Sequence, residues 1–136
     1  MTTLARDLRT FPVHLGPRAG AAIQPAFTGT MEWYADYTGR TEAEDEDGNG
    51  RLVSMFDFAQ DWDSWEMHPA GDEVVVCLAG EMTLIQEHPD GSLHSETIAA
   101  GQYLINPAGV WHTANIPVPA SALFITAGQG TESRPR

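Results

Sequence analysis

The chain has 136 residues and a formal net charge of −12 at pH 7, and 42% of its residues are hydrophobic. This length suits one domain with one core, and the aromatic content is too high for a disordered chain. The excess of acids opposes binding to nucleic acid or anionic membranes, and the lack of lysine excludes Schiff-base catalysis.

Residues 1–30 are predicted to form an irregular arm. Prolines and small residues interrupt them, so that only 11–15 suits a strand. Charged residues break the N-terminal pattern before it reaches the length of a signal peptide, and no eighteen apolar residues run together. We therefore expect a cytoplasmic protein without membrane association.

Residues 42–50 are strongly acidic. Asp45, Asp47 and Asn49 stand at alternate positions before a glycine, like the start of an EF-hand loop. The twelfth position is Phe56 instead of a glutamate, and the flanking segments resemble strands. We expect a solvated connection, with weak calcium binding as the alternative.

The rest of the chain predicts β-structure. Short runs rich in β-branched and aromatic residues alternate with turn signals, and no helix-length segment has an apolar period of 3.6 residues. We expect an all-β domain, a sandwich or barrel, over 31–127 and a flexible tail over 128–136. In 73–79 both faces are apolar, which indicates a central strand covered by a second sheet or a partner. The predicted strands are 51–60, 64–68, 73–79, 81–87, 93–98, 102–106, 111–116 and 121–127.

Three potential metal ligands surround the turn between two predicted strands. Glu66 and His68 are two residues apart, so their side chains leave the same face of a strand. Glu73 follows the turn at the start of the next strand, where a hairpin could fold it back beside them. A carboxylate is costly to bury unless it is compensated, so a cation is expected among them. The alternative is ordinary polar residues at strand ends.

A fourth candidate, His112, begins another strand about forty residues later, and the two segments resemble the two motifs of the cupin superfamily. The resemblance covers about residues 64–115. It implies a double-stranded β-helix, or jelly-roll, barrel with a metal ion inside. The matching patterns are Glu66-x-His68-x4-Glu73-x6-Gly80 and Gly101-x5-Pro107-x-Gly109-x2-His112.

The resemblance implies that Glu66, His68, Glu73 and His112 are metal ligands. Glu66 stands where the family usually has a histidine. Two carboxylates and two imidazoles suit one divalent transition metal, Fe²⁺, Mn²⁺ or Ni²⁺, with Zn²⁺ as the alternative. If Glu66 points away, the other three still form the two-histidine, one-carboxylate set of non-haem iron oxygenases. A cupin that has lost its metal is the remaining alternative.

The alternation of side chains along a strand predicts which neighbouring residues face the metal site. Trp65 and Trp111 alternate with ligands, so we expect both indoles to face away from the metal. Cys77 is expected to be a small buried hydrophobe and not a nucleophile. Tyr103 is expected either to offer its hydroxyl to the site or to be a buried structural residue. The substrate-binding candidates are Phe56, Phe58, Tyr103 and Phe124, and the further lining candidates are Val75, Cys77 and Ala114.

These features predict a metal-dependent enzyme for a small oxygen-rich molecule, with a dioxygenase as the leading hypothesis. Glu66 or Glu73 would act as general base if it were only loosely bound to the metal. The alternatives are a metal-dependent isomerase or decarboxylase and a non-catalytic small-ligand-binding cupin. The apolar outer side of 73–79 and the family resemblance both indicate a homodimer.

Overall fold

The computed structural model of the chain describes residues 4–45 and 48–136. Nine strands and one α-helix are present in this part of the chain, so the prediction of a mainly β protein is confirmed. In chain order they are β1 (Val13–Leu15), β2 (Ala21–Ile23), α1 (Met31–Thr41), β3 (Arg51–Phe58), β4 (Ser64–Met67), β5 (Glu73–Glu87), β6 (Leu93–Ala99), β7 (Tyr103–Asn106), β8 (Trp111–Thr126) and β9 (Glu132–Pro135).

The long strands β5 and β8 form the centre of the fold. They pair antiparallel, from Val74 opposite Ile125 to Glu87 opposite Trp111. In one half of this pair, β7 flanks β5, while β3, β1 and β2 continue the sheet beyond β8. In the other half, β6 flanks β5, while β4 and β9 continue beyond β8.

Each of these long strands bends between the two halves. The β5–β8 register shifts on both sides of Gly80, which has a φ of +71° and lies so close to Pro119 that a side chain there would collide with the backbone. Bulges of this kind bend and twist a strand, so the segments predicted as 73–79 and 81–87 are one bent strand. The result is a jelly-roll arrangement. Within the described residues the sheet does not close as a barrel, which corrects that part of the prediction, because bent strands and not a full ring of hydrogen bonds join the halves.

The inner faces of the two halves meet in an apolar core. Val75, Cys77 and Ala114 are completely buried there. They therefore belong to the core, whereas the prediction placed them in the lining of the site. Burial raises the pKa of the Cys77 thiol, which donates a hydrogen bond to the carbonyl of Ala79. Cys77 therefore has the structural role that was expected. The other buried members are Met82, Leu84, Ile98, Ile116, Ala120, Ala122 and Phe124.

The first part of the chain is more regular than predicted. β1 pairs with β2 and β3, and α1 begins where the hydroxyl of Thr30 accepts a hydrogen bond from the amide of Trp33. Trp33, Tyr37 and Thr41, spaced by four residues, form the buried side of the helix. The prediction that no helix is present was wrong because only this narrow stripe is apolar. No helix in the described residues has the length and apolar character needed to cross a lipid bilayer.

The acidic segment is partly buried instead of fully solvated. Oδ2 of Asp45 lies 2.9 Å from Nε2 of His14, and Nδ1 of His14 lies 2.6 Å from the hydroxyl of Tyr37. All three side chains are buried, and together they join α1 to β1. Asp47, the middle residue of the EF-hand-like pattern, lies outside the described residues.

The C-terminal residues also differ from the prediction, because the segment expected to be flexible contains β9, which pairs with β4. The guanidinium of Arg134 lies over the rings of Trp111 and Trp65, at 4.4 and 5.3 Å from their centroids, and pairs with Glu87 at 2.7 Å. Both indoles therefore face away from the predicted metal ligands, as expected, and pack against this strand.

Candidate metal centre

The four predicted metal ligands meet at one place. Glu66 in β4 and His112 in β8 are register partners, so their side chains leave the same face of the sheet. His68 follows β4, and Glu73 begins β5. Nε2 of His68 lies 3.2 Å from one oxygen of Glu73, and Nε2 of His112 lies 3.3 Å from the other.

Protein groups hold the second nitrogen of both imidazoles. Nδ1 of His68 lies 2.8 Å from the hydroxyl of Thr131, and that hydroxyl donates to the carbonyl of Gly128. Because this proton is already used, the Nδ1–H of His68 is the donor to Thr131. Nδ1 of His112 faces the carbonyl of Val110 at 3.4 Å, and a carbonyl only accepts. When the rings are neutral, Nε2 of each therefore has a free lone pair, as in histidines that bind a metal.

Three of the groups fit a divalent cation. Nε2 of His68 and Nε2 of His112 are buried, and in the described part of the chain each faces an oxygen of Glu73, at 3.2 and 3.3 Å, without the geometry of a hydrogen bond. One donor atom each from Glu66, His68 and His112 lies within 4.8 Å of the others. Two unpartnered imidazole nitrogens and a carboxylate form a common metal-binding set. This Glu/His/His cluster could hold a metal ion.

Glu73 differs from the other three because hydrogen bonds hold both of its oxygens. Nδ2 of Asn106 donates to one at 3.1 Å, and the hydroxyl of Thr126 donates to the other at 2.6 Å. Burial alone would raise the pKa of Glu73, but the adjacent imidazoles of His112 and His68 outweigh it and hold that pKa well below its usual range. Glu73 is thus a fixed, ionised carboxylate between two imidazoles.

Glu66 and His68 have raised pKa values. Burial, followed by the charge of Glu73, raises the pKa of Glu66. Burial by itself would lower the pKa of His68, but the carboxylates of Glu73 and Glu66 raise it. Glu66 is also the most exposed of the four side chains. It is therefore the carboxylate best able to exchange a proton with a bound molecule.

Aromatic rings lie beside the imidazoles. Phe56, Phe58 and Phe124, three of the predicted substrate-binding residues, are in mutual contact, with centroids 5.7 to 6.3 Å apart. Trp62 joins this group to the centre, because its ring lies 6.2 Å from Phe124 and 6.4 Å from His112. Among the described residues, the three phenylalanines are linked to the centre through Trp62, and their role in substrate binding stays a prediction.

Tyr103, the fourth predicted substrate-binding residue, is not at the site. Its side chain is on the outer side of β7 and is 63% exposed, so both expectations for it were wrong. The inward positions of this short strand are Leu104 and Asn106. Of the two sets of alternate positions in 102–106, the more apolar one, Tyr103 and Ile105, is the exposed one, so the pattern indicated the wrong side as buried.

Sequence reasoning also missed residues that surround the ligands. Burial, and then the charges of Glu66 and Glu73, raise the pKa of Tyr34 in α1 to about 12. The spacing of the aromatic residues in α1 was the sequence signal that could have indicated Tyr34. The other missed residues are Trp62, Asn106, Thr126 and Thr131.

The fold was compared with solved structures. Oxalate oxidase in complex with glycolate is 19% identical to this chain, with a TM-score of 0.53, over 60% of this chain and 45% of the oxidase. Peruvianin-I, a cysteine peptidase from Thevetia peruviana, is 17% identical, with a TM-score of 0.51, over 60% and 54% of the two chains. A cupin-2 domain protein from Shewanella frigidimarina is 19% identical, with a TM-score of 0.48, over 63% and 71%.

The chain thus spans less than half the length of the oxalate oxidase that it matches. No protein-family model matches the chain, and no curated protein matches it. The likeness concerns the fold, and it agrees with the two motifs that bring Glu66, His68, Glu73 and His112 together. At these identities the likeness shows that the chain shares its fold with oxalate oxidase.

Proposed function

We propose that the chain is a metal-dependent enzyme that acts on a small oxygen-rich metabolite, with dioxygenation as its reaction. The observation that supports this most strongly is the pair of buried Nε2 atoms in His68 and His112, which lack hydrogen-bond partners among the described residues. Leaving a buried polar atom unpaired costs about 1–3 kcal/mol, and a metal ion would remove that cost. Glu66 places a carboxylate within reach of the same point.

The donor set favours a hard or borderline ion. The charges of Glu66 and Glu73 together would balance a divalent cation, and two imidazoles suit Fe²⁺, Mn²⁺ or Ni²⁺, with Zn²⁺ as the alternative. When bound, such an ion supplies Lewis acidity, open coordination positions and, for a redox-active metal, reactivity towards dioxygen. Oxalate oxidase has the same fold, and its name indicates a small oxygen-rich substrate.

The protein groups divide the remaining tasks. Glu66 is the better general base, because its pKa is raised and its side chain is partly exposed. Glu73 is the weaker base, because its pKa is lowered and both oxygens already accept hydrogen bonds. We assign Glu73 to holding the two imidazoles and to completing the ligand set.

Metal content is the first test. The purified full chain, reconstituted with each candidate ion, should bind about one equivalent. His112→Ala should reduce occupancy at least about ten-fold, since it removes a direct ligand. His94→Ala is the matched control, because His94 is an exposed histidine on β6 whose side chain contacts Glu96 and His88 and none of the predicted ligands. Less than a tenth of an equivalent in the reconstituted wild-type chain would contradict the proposal.

Oxygen consumption is the second test and separates the alternatives. Substrate-dependent uptake of dioxygen by the metal-loaded chain is the expected result. Turnover without oxygen would contradict dioxygenation and favour a metal-dependent isomerase or decarboxylase. Tight binding of a ligand without turnover would instead favour a small-ligand-binding cupin.

A further inference from the structure

A buried histidine outside the candidate metal centre has surroundings like those of His68. His14 in β1 is 3% exposed, and its Nδ1 lies 2.6 Å from the hydroxyl of Tyr37 in α1. Its Nε2 lies 2.9 Å from Oδ2 of Asp45, which follows α1 and is 6% exposed. A hydroxyl therefore holds one nitrogen of the ring and a carboxylate faces the other, as at His68.

The contact between His14 and Asp45 is short but misaligned. Although the two atoms are 2.9 Å apart, Nε2 of His14 has no hydrogen-bond partner among the described residues, and neither has Oδ1 of Asp45. A hydrogen bond requires the oxygen to lie near the line of the N–H bond, so the carboxylate oxygen lies to one side of that line. Buried polar atoms in folded proteins are almost always paired, and these two atoms therefore need a further partner.

The geometry fits two ligands of one metal ion. An ion bound by an imidazole lies on the line of the nitrogen lone pair, at about 2.1 Å. A carboxylate oxygen that binds the same ion at about 2.1 Å and at a right angle is then about 3.0 Å from the nitrogen and off that line. The contact of His14 with Asp45 has both features. The contacts of His68 and His112 with Glu73 have them too, at 3.2 and 3.3 Å.

Two glycines keep side chains away from this pair. A Cβ atom at Gly16 would lie 3.3 Å from Nε2 of His14 and 3.7 Å from Oδ1 of Asp45, and a Cβ atom at Gly50 would collide with the carboxylate of Asp45. Gly16 has a φ of −115°, which any residue adopts, so its own backbone conformation does not require glycine. The two glycines thus leave room beside both donor atoms.

The charges around Asp45 favour a cation. Residues 42–47 contain five carboxylates and no basic residue. Among the described residues, Asp45 forms an ion pair only with His14, and the guanidinium of Arg40 instead donates to the side-chain oxygen of Gln24 at 3.1 Å. Burial, followed by the charge of Asp45, raises the pKa of Tyr37 above its usual range. A negative field without an arginine partner therefore acts on the buried cluster, and it attracts positive ions.

We propose that His14 and Asp45 hold a second divalent transition-metal ion, which fastens the end of α1 to β1. The protein ligands are Nε2 of His14 and the carboxylate of Asp45, and water or main-chain oxygens complete the shell. An imidazole ligand favours Zn²⁺, Co²⁺ or Ni²⁺ over Ca²⁺, which takes oxygen ligands. In the metal-bound ring, Nδ1–H donates to the hydroxyl of Tyr37, which fixes the orientation of the imidazole. This structural site goes beyond the proposed function and does not depend on it.

The second site should be weaker than the candidate metal centre. It has two protein ligands, whereas the candidate centre has up to four, and fewer charged ligands give lower affinity. It should therefore fill only in excess metal and lose its ion on desalting. The single equivalent expected of the reconstituted chain after desalting thus belongs to the candidate centre.

A Zn²⁺ titration of the full chain with ¹⁵N-labelled histidine tests the proposal. The imidazole signals report which ring nitrogen binds the ion, and His14→Gln assigns those of His14. We expect the Nε2 signal of His14 to shift in excess Zn²⁺. Asp45→Asn keeps the shape of the side chain but removes its charge, and it should weaken this binding at least about ten-fold. Asp36→Asn is the matched control, because Asp36 is an exposed carboxylate on α1, and it should bind like the wild type.

The same spectra keep the two metal sites apart, because His68 and His112 report on the candidate centre. If the signals of His14 stay unchanged in excess Zn²⁺, the contact with Asp45 is an ordinary ion pair and the proposal is overturned, whatever the other two histidines show. Equal binding by the two aspartate variants would overturn it as well. If Asp45→Asn does not fold, Gly16→Ala takes its place, because its methyl group crowds Nε2 and should weaken Zn²⁺ binding with an unchanged circular dichroism spectrum.

Discussion

Thr131 is expected to influence metal affinity strongly although it is not one of the predicted ligands. It touches no cation, yet its hydroxyl fixes the orientation of His68. Thr131→Val removes this acceptor and should lower metal affinity about 10- to 100-fold, the usual effect of losing such a partner. Competition with a chelator measures the affinity. Thr97→Val serves as control, because Thr97 bonds only to Thr83 within the described residues. Equal losses in the two variants would contradict the assigned role.

The raised pKa values of Glu66 and His68 predict how pH changes metal binding. Both groups must lose their protons before they bind a cation, so metal affinity should rise with pH. In the metal-free protein, the contact between His68 and Glu73 stabilises the fold below the unfolded histidine pKa of about 6.5, and this is lost as pH rises through the higher folded value. The increase in Tm on adding metal should therefore be larger at about pH 8 than at about pH 6, and a pH-independent increase would contradict this.

Sequence reasoning identified the candidate ligands more readily than the residues around them. Glu66 and His112 were found because motif spacing fixes which residues share a face. Asn106 was missed because the pattern of apolar and polar residues in 102–106 did not indicate that the side of the strand with Asn106 is buried. Thr131 was missed because its contact joins segments 63 residues apart. Such contacts depend on how the tail returns to the sheet, which local patterns do not specify.

Among the elements, the bend of β5 depends most on a single position. Gly80→Ala would introduce a methyl group into the backbone of Pro119 at a positive φ, and we expect a loss of more than about 2 kcal/mol in the free energy of unfolding. Gly91→Ala is the matched control, since Gly91 also has a positive φ but its Cβ would meet nothing within 4 Å in the described residues. That variant should lose about 1 kcal/mol. Urea denaturation measures both values, and equal losses would contradict the role of the close approach.

The attachment of β9 is a second feature that can be tested. Arg134→Ala removes a guanidinium that lies over two indoles and pairs with Glu87. We expect a loss of about 1–2 kcal/mol, mostly from the cation–π contacts, because the ion pair is partly exposed. Arg134→Lys keeps the charge without the planar group and should recover only part of the loss. If the lysine variant equals the wild type in thermal denaturation, stacking is not the cause.

The strands of the core were predictable from their alternation, and the elements at the two ends were not. Most predicted strands between 51 and 127 are present, although four of them merge into β5 and β8. Their separation was predicted from Gly80 and from the prolines near residue 118, which cause a bulge and a bend but do not end the strands. α1 and β9 are held by contacts with the rest of the fold, and an analysis of local period underestimates such elements.

For the whole molecule, the homodimer expected from the apolar outer side of 73–79 should respond unusually to salt. Each copy carries a net charge of −12, so charge repulsion opposes the dimer while apolar contacts favour it. Raising the salt concentration from about 50 to about 500 mM screens the repulsion and should lower the Kd of the dimer. Analytical ultracentrifugation measures this constant. An interface held by ion pairs would show the opposite trend.

The jelly-roll arrangement could be predicted from the two cupin-like motifs. That the sheet does not close as a barrel could not be predicted from them. Residues 64–115 specify two pairs of strands and the position of the ligands. Whether hydrogen bonds close the sheet depends on how far β5 and β8 bend and on what covers the edges, and these are properties of the whole chain.

The position of Thr131 just before β9 makes the centre vulnerable at a distance from its ligands. A protease that cuts near Gly128 would release the segment that holds His68 and the arginine that stacks on two indoles. Cleavage at this point should therefore lower metal affinity, as Thr131→Val is expected to do.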